Sequence, residues 1–433
     1  MYTDHAAGAR YHLAGLDLRT GRVAPGVTTP LEVSATVTSE KDRARIETRL
    51  KTKLTFDLER QHYKLDSLDF SAKGAYAEVS DLNATAKGAF EARLATNEYL
   101  IDALNVSISG KQAGGELKLK LDAPRLTLTR ETVAGAKLVF EATRSDAASR
   151  LVAKITLNGV QGTYKAMTAG PLAAELETKR GRRTTKATLN GTLTGNLEAK
   201  RFELPQLALS ARVSDPDVPG GAFDAAINGA ARVDLDRGNA GLDFSGKLAE
   251  SNVNGKVGVV KFSPLAVTFD LNADQLNADR LMGSTPAGSK PAKGGGSDVR
   301  DNPIDLSALK AIDAVGTLKI GKLTLLNLQS SQVRTDVKLA RGRLELAPIS
   351  AQLYQGTLNG SVSAQAAETP VFTVKQALAG VAVGPLLRDA AQIDMLEGKG
   401  AVNVDLSTRG ATVAALKKAL NGTAAVNLSD GSV

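Results

Sequence analysis

The feature that most constrains this chain is the strict alternation of apolar and polar residues in run after run. In the segment 116–122, Leu117, Leu119 and Leu121 are separated by lysines. Successive side chains of a β-strand point to opposite faces, so such a run gives one apolar and one polar face. Buried parallel strands read as continuous apolar runs instead. The pattern therefore predicts a mainly β chain built from a long, twisted antiparallel sheet.

Turn signals recur between these runs. The dipeptide Asn-Gly suits the positive φ angles of tight hairpin turns. Strand-like runs flank five of its occurrences, so we expect hairpin turns there and a new strand about every 8–12 residues. These five dipeptides begin at Asn158, Asn190, Asn228, Asn254 and Asn359.

One segment interrupts the pattern and divides the chain. Residues 283–300 are rich in Gly, Ser and Pro, a composition typical of a flexible linker. The sequence therefore predicts an extended β-sheet body over 1–282 and a second β region with short helices over 301–433.

Three short helices are expected in the second region. Residues 304–313 place their apolar side chains on one helical face. Gly384-Pro385 can open another helix, because the first helical turn tolerates proline. A third is predicted over 412–420, with Thr412 capping its start and Asn421-Gly422 ending it.

Charge and side-chain chemistry exclude several kinds of site. The chain has no cysteine, which excludes disulfides and thiolate metal sites, and His5, His12 and His62 lack the spacing of zinc ligands. The net charge of +8 favours anionic partners. The basic run 179–186 is interpreted as a solvated hairpin turn, because Gly181 lies inside it and strand-like runs flank it. It also lacks the interleaved aromatic residues that nucleic-acid stacking needs.

Catalytic constellations are missing from the sequence. It has no nucleophile elbow, phosphate-binding loop or dinucleotide fingerprint. Acidic residues mostly alternate with apolar ones, as on the polar face of a strand, although a pair of them could also serve as glycosidase carboxylates. We expect a protein that is not an enzyme and that needs no metal and no cofactor.

The apolar face of such a sheet must be covered. A second sheet could pack on it as a sandwich, the sheet could close into a barrel, or it could curl into a trough that holds an apolar ligand. Aromatic residues make up only 4 % of the chain and Trp is absent, so the face is aliphatic. An aliphatic lining fits a trough slightly better, but periodicity alone leaves these alternatives open.

From Leu271 onward the chain resembles the AsmA family of bacterial envelope proteins, in the order and spacing of its segments. Before about residue 270 the resemblance is one of style alone, through β alternation. The segments that carry the resemblance are Ala278–Leu281, Gly316–Thr324, Leu344–Gly356, Gly384–Asp389, Leu396–Gly400 and Ala419–Gly422, followed by Asp430-Gly431.

The resemblance implies a location and a task. The family is similar to bridge-like lipid transfer proteins, with a long β-sheet folded as a trough in the periplasm and one N-terminal helix in the inner membrane. It is linked to phospholipid movement toward the outer membrane and to outer-membrane biogenesis. No apolar run here is long enough for that anchor, so we expect a fragment that lacks the anchor and the C-terminal end.

Lipid binding is the first functional hypothesis. Phospholipids, or other envelope lipids, would lie on the apolar stripe, with envelope proteins as further partners and no nucleic acid. The alternatives are a non-enzymatic scaffold for the assembly of outer-membrane proteins and a surface β-protein such as an adhesin. The candidate groove residues are Leu117, Leu119, Leu121, Leu323, Leu325, Val402, Val404 and Leu406.

Overall fold

The computed structural model divides the chain into two units by internal contacts. Unit 1 is Met1–Ser214 and unit 2 is Asp215–Val433. The residues that the structure describes are 2–4, 9–216, 221–279, 304, 306–391 and 397–432.

Unit 1 is a sheet in which each strand pairs antiparallel with the next one along the chain. Its described strands are β1 (Tyr2–Asp4), β2 (Ala9–Thr20), β3 (Thr29–Ser39), β4 (Ala44–Asp57), β5 (His62–Tyr76), β6 (Val79–Arg93), β7 (Glu98–Gln112), β8 (Gly115–Leu128), β9 (Thr132–Ser145), β10 (Ser149–Thr163), β11 (Met167–Arg180), β12 (Arg183–Asn196) and β13 (Arg201–Ser214).

Unit 2 is also a sheet whose consecutive strands pair, and it carries short helices. Its described strands are β14 (Ala222–Asp234), β15 (Asn239–Leu248), β16 (Ser251–Phe262), β17 (Leu265–Asn277), β18 (Ile312–Leu325), β19 (Leu328–Ala340), β20 (Arg343–Leu353), β21 (Gly356–Gln365), β22 (Val371–Ala382), β23 (Glu397–Arg409) and β24 (Asn421–Ser432). Its described helical elements are a 3-10 turn (Ser307–Lys310), α1 (Val383–Ala391) and α2 (Val413–Lys418).

The predicted fold class, a mainly β chain with a long open sheet, is confirmed. Among the strand pairs that the structure describes, the predicted antiparallel pairing has one exception: β17 and β18 run parallel, with Leu265 beside Ile312 and Leu276 beside Leu323. A parallel pair needs a crossover connection, which a tight hairpin cannot provide. The predicted linker 283–300 lies outside the described residues, so the predicted division of the chain there stays a prediction.

The predicted Asn-Gly hairpin turns are wrong. All five dipeptides lie inside strands, in β10, β12, β14, β16 and β21. Glycine inside a strand often marks a close approach of the neighbouring backbone. A Cβ on Gly229 would collide with the carbonyl oxygen of Asp243, and one on Gly255 would contact that of Asp270. Four of the five glycines meet such crowding, whereas Gly159 has a positive φ and no close neighbour. The strands are also longer than the predicted spacing allows.

Two of the three predicted helices form. Helix α1 starts at Val383 with Pro385 in its first turn. In α2, the hydroxyl of Thr412 accepts a hydrogen bond from the backbone N–H of Ala415 at 3.2 Å, which confirms the predicted cap. Helix α2 ends at Lys418, and Asn421 already starts β24, so the predicted end is wrong.

The helix predicted over 304–313 is wrong apart from one 3-10 turn. That turn covers only Ser307–Lys310, and β18 begins at Ile312. Ile312 pairs with Leu265 of β17, and hydrogen bonding within the sheet here overrides the helical pattern. The apolar residues that suggested a helical face belong partly to a strand.

Candidate functional site

One row of apolar side chains crosses unit 1 from β2 to β13. At its centre, Leu121 of β8 lies directly opposite Val106 of β7 and Phe140 of β9. We call the side of the sheet that carries this row the apolar face of unit 1. Strand by strand, the row is Leu18, Val33, Leu50, Phe70, Ala86, Val106, Leu121, Phe140, Ile155, Ala174, Leu189 and Leu209.

The other two predicted residues of β8 belong to the same face. Leu119 lies opposite Ile108 of β7 and Ala142 of β9. Leu117, one more step along β8, lies opposite Gly110 of β7. The structure thus brings all three predicted leucines of unit 1 into one apolar surface, as strand alternation requires.

Much of this surface is open to solvent. Phe140 is 37 % exposed, Ile155 39 % and Leu176 37 %, although all three are large apolar side chains on neighbouring strands. At one end the face is better packed, around a buried cluster that includes Val160 and Met167. Contiguous exposed apolar surface of this kind marks sites of ligand, membrane or protein interaction.

The opposite face of unit 1 is polar and carries cross-strand ion pairs. They include Lys51 with Glu32 at 2.8 Å and Lys154 with Glu141 at 3.1 Å. The hydrogen bond from Lys51 lowers the pKa of the Glu32 carboxyl. Such exposed pairs contribute only about 0–1 kcal/mol each to stability, so they mainly keep this face wetted.

Unit 2 has an apolar face of the same kind. Ile320 of β18 lies between Ala273 of β17 and Val333 of β19, and Val333 packs in one buried cluster with Ala351 of β20. A further row continues from Leu358 on β21 through Leu378, Val402 and Val426. We call this surface the apolar face of unit 2.

The five predicted residues of unit 2 all lie on its apolar face. Leu323 lies opposite Leu276, and Leu325 lies opposite Leu328. On β23, the three predicted positions are half-buried and alternate with exposed polar residues. These three positions are Val402, Val404 and Leu406.

The pairing partners of the β23 residues differ. Leu406 lies opposite Val374, whereas Val404 lies opposite Gln376, a polar side chain within the apolar face. The Oε1 atom of Gln376 is buried and has no hydrogen-bond partner. A role of any of the eight predicted residues in lipid contact stays a prediction.

A cavity of about 1000 Å³ opens at one end of this face. Its lining comes from strands as far apart in the sheet as β14, with Phe223, and β21, with Thr357, and it includes the predicted residue Leu323. In a flat sheet, strands seven places apart would be separated by roughly 34 Å. Because they line one cavity, the sheet of unit 2 is concave here.

Helix α1 covers the apolar face beside this cavity. Val381 and Val383 are 0 % and 1 % exposed, and they pack with Leu378 and Leu386 in one buried cluster. The hydroxyl of Tyr354, which lines the cavity, donates a hydrogen bond to Asp389 Oδ2 of α1 at 2.6 Å.

This position changes the pKa of the Tyr354 hydroxyl. Burial, together with the hydrogen bond to the Asp389 carboxylate, raises its pKa to about 12. Neither the cavity nor this contact was predicted, because the cavity depends on sheet curvature and the contact on where α1 packs, and alternation encodes neither. In the sequence, the segment 353–356, Leu-Tyr-Gln-Gly, carries part of the family resemblance and gives no sign of a cavity.

The described residues offer no metal site and no membrane-spanning helix. No group of three or more His, Asp or Glu side chains among them could hold a metal ion. None of the helices that the structure describes has the length and apolarity needed to cross a bilayer.

Comparison with known proteins decides the family. A model of the AsmA family matches residues 1–433. The chain belongs to the AsmA family. The match confirms the resemblance seen from Leu271 onward and extends it over the first 270 residues, which resembled AsmA proteins only in style. AsmA proteins are associated with the bacterial envelope. No curated protein and no solved structure matches the chain.

Proposed function

We propose that this chain binds phospholipid acyl chains on the apolar faces of its sheets and supports lipid transport between the inner and outer membranes. It would act in the periplasm, associated with the inner membrane in the full-length protein, and serve outer-membrane biogenesis without catalysing a reaction. The observation that carries the proposal is the unbroken apolar row from Leu18 to Leu209, whose central side chains Phe140 and Ile155 are more than one-third exposed.

The row suits movement as well as binding. Each CH₂ group that leaves water contributes about 0.8 kcal/mol, so roughly ten buried methylenes correspond to micromolar, reversible binding. Adjacent positions of the row are all aliphatic or aromatic, so an acyl chain that shifts by one strand exchanges similar contacts. No charged side chain interrupts the row, and the head group can stay in water at the edge of the sheet.

Unit 2 offers a second kind of binding place. Its cavity of about 1000 Å³ is at the upper end of the usual range for ligand pockets. The lining mixes apolar side chains, such as Phe223 and Leu276, with polar ones, such as Gln275 and Gln352. This mixture fits an amphipathic ligand better than a purely apolar one.

Co-purifying lipid tests the proposal. The chain is expressed in the periplasm, purified gently and analysed by native mass spectrometry. We expect phospholipid in more than one copy. The variant Ile155→Asp should lose most of it, because a carboxylate on the apolar face disfavours acyl chains. The control Thr156→Asp adds the same charge on the polar face of the same strand and should retain it.

Two results would contradict the proposal. Equal lipid occupancy in both variants would show that the apolar face of unit 1 does not hold the acyl chains. A stably folded wild-type chain without lipid would remove lipid transport altogether and favour the alternative, a non-enzymatic scaffold for outer-membrane assembly.

A further inference from the structure

Three arginines stand on the apolar face of unit 1 at one end of its strands. Arg144 lies near the end of β9, opposite Leu117 of β8 and Leu151 of β10. Arg180 ends β11 and Arg183 begins β12, directly opposite each other across a two-residue turn. All three side chains are exposed.

The register separates this cluster from the rest of the basic run 179–186. Along β11, Arg180 is two residues from Thr178 and four residues from Leu176. Side chains at every second position of a strand share a face, so Arg180 lies on the same face as Leu176. Lys179 lies opposite Arg150 on the polar face, and Lys186 lies 4.0 Å from Glu177 there. The hairpin predicted for this run is confirmed, and Arg180 and Arg183, the residues on either side of its turn, lie on the apolar face.

The cluster has a net positive charge. Among the described residues, Arg180 and Arg183 have no carboxylate within ion-pair distance. The acid closest in sequence to Arg144 is Asp146, which accepts hydrogen bonds from the Ser149 hydroxyl at 2.8 Å and from two backbone N–H groups. The Ser149 hydroxyl lowers the pKa of Asp146 most, so this carboxylate is ionised and offsets one of the three positive charges.

This placement has a cost in the chain alone. Like charges directly opposite each other on neighbouring strands destabilise a sheet, and Arg180 and Arg183 form such a pair. On the polar face, basic side chains such as Lys51 and Lys154 lie beside a carboxylate. Arg150 and Lys179 form another like-charge pair there, so what distinguishes Arg180 and Arg183 is their place beside apolar rows. An anion held between the two arginines would turn the repulsion into attraction.

We propose that Arg144, Arg180 and Arg183 bind the phosphate of a phospholipid whose acyl chains lie on the adjoining apolar rows. The proposal rests on the proposed function and adds the chemistry of the head group to it. Arginine suits this task, because its planar guanidinium donates paired hydrogen bonds to phosphate oxygens. Arg144 and Arg180 are two strands apart in the sheet and offset by two residues along the strands. Their Cα atoms are therefore about 12 Å apart, and two extended arginine side chains can reach one head group across that distance.

Binding of fluorescent phosphatidic acid and of fluorescent diacylglycerol with the same acyl chains tests this site. The double variant Arg180→Gln/Arg183→Gln should bind phosphatidic acid at least tenfold more weakly and diacylglycerol unchanged. The matched control is Arg150→Gln/Lys179→Gln, which removes two charges from the polar face of neighbouring strands. It should change either affinity less than twofold.

The outcomes separate this inference from the proposed function. Equal weakening of phosphatidic acid binding in both double variants would overturn the arginine site while leaving lipid binding intact. A wild-type chain that binds neither lipid would overturn both. Inorganic phosphate alone, tested by calorimetry, distinguishes the source: binding of free phosphate without a preference for phosphatidic acid over diacylglycerol would contradict a lipid head group.

Stability gives a second readout that needs no ligand. Removing the like-charge pair should leave the melting temperature of Arg180→Gln/Arg183→Gln equal to or above that of the wild-type chain. A clear fall in the melting temperature would show that the arginines stabilise the hairpin, and would overturn their assignment to an anion.

Discussion

The two units build the same kind of apolar face but cover it differently. In unit 1, Phe140 and Ile155 lie at the centre of the face and remain more than one-third exposed. In unit 2, Val381 at the end of β22 and Val383 at the start of α1 are essentially inaccessible to solvent. Apolar and polar residues alternate along the strands of both units, and this alternation produces an apolar face in each. What covers a face is decided by a helix as short as α1.

The position of α1 in the chain explains this difference. The helix begins at Val383, immediately after β22 ends at Ala382. With no connecting loop, its first turn lies next to the end of β22. Val383 and Leu386 therefore fold onto Leu378 of the same strand. We conclude that the centre of the apolar face is open in unit 1, whereas in unit 2 the part of the face that packs against α1 is sealed and the open parts are the adjoining cavity and exposed positions such as Leu325 and Val426.

The largest expected effect is on stability. Leu378→Ala removes a side chain that is 8 % exposed in the cluster beneath α1, and should lower the free energy of unfolding by about 3 kcal/mol. Ile155→Ala removes a side chain already 39 % exposed, and should cost about 1 kcal/mol. Urea denaturation of both variants measures the difference. Equal losses would show that the faces are equally covered.

The next effect is on lipid occupancy in each unit. Leu121→Asp should reduce bound phospholipid about tenfold, because the apolar face of unit 1 is open, and Val404→Asp should reduce it less. The polar-face neighbours Lys120→Asp and Asn403→Asp are the controls. Native mass spectrometry of the four variants gives the ratio. A greater loss in Val404→Asp would place the main lipid surface in unit 2 and reverse the comparison.

The contact between the cavity and α1 predicts a pH dependence. Tyr354 has a folded-state pKa of about 12, above its ordinary value of 10, so its stabilising effect is complete below pH 10. It is lost as the pH rises from 10 toward 12. Tyr354→Phe should cost about 1 kcal/mol at neutral pH and should remove a component that titrates near pH 12 from the absorbance at 295 nm. Loss of a component that titrates near pH 10 instead would contradict this assignment.

The smallest effect is expected at α2, none of whose described residues is buried. Thr412→Ala removes the hydrogen bond to the Ala415 N–H and should cost about 0.5–1 kcal/mol. Thr412→Ser keeps the hydroxyl and is the control. A loss above about 2 kcal/mol would show that α2 is as strongly coupled to the sheet as α1.

Alternation predicted the faces well because a side chain's face depends only on its place along the strand. It placed Leu117, Leu119 and Leu121 together, and Val402, Val404 and Leu406 together. The Thr412 cap was also predicted, because capping is a contact between residues three positions apart.

Features that depend on distant parts of the chain were not predictable. The parallel pairing of β17 with β18 joins residues on either side of the predicted linker. The Asn-Gly dipeptides at Gly229 and Gly255 predicted turns. Both glycines instead lie inside strands, where the backbone of the neighbouring strand leaves no room for a Cβ atom. The contact of Tyr354 with Asp389 joins the turn between β20 and β21 to α1, and the cavity requires the curvature of the sheet.

The central claim is that acyl chains lie on the apolar face of unit 1. A photo-crosslinking residue at Ile155 or at Thr156, followed by mass spectrometry of the protein crosslinked in living cells, tests it most directly. We predict phospholipid adducts at position 155 and none at position 156, because the two side chains point to opposite faces of one strand. Adducts at neither position, or equally at both, would contradict the account.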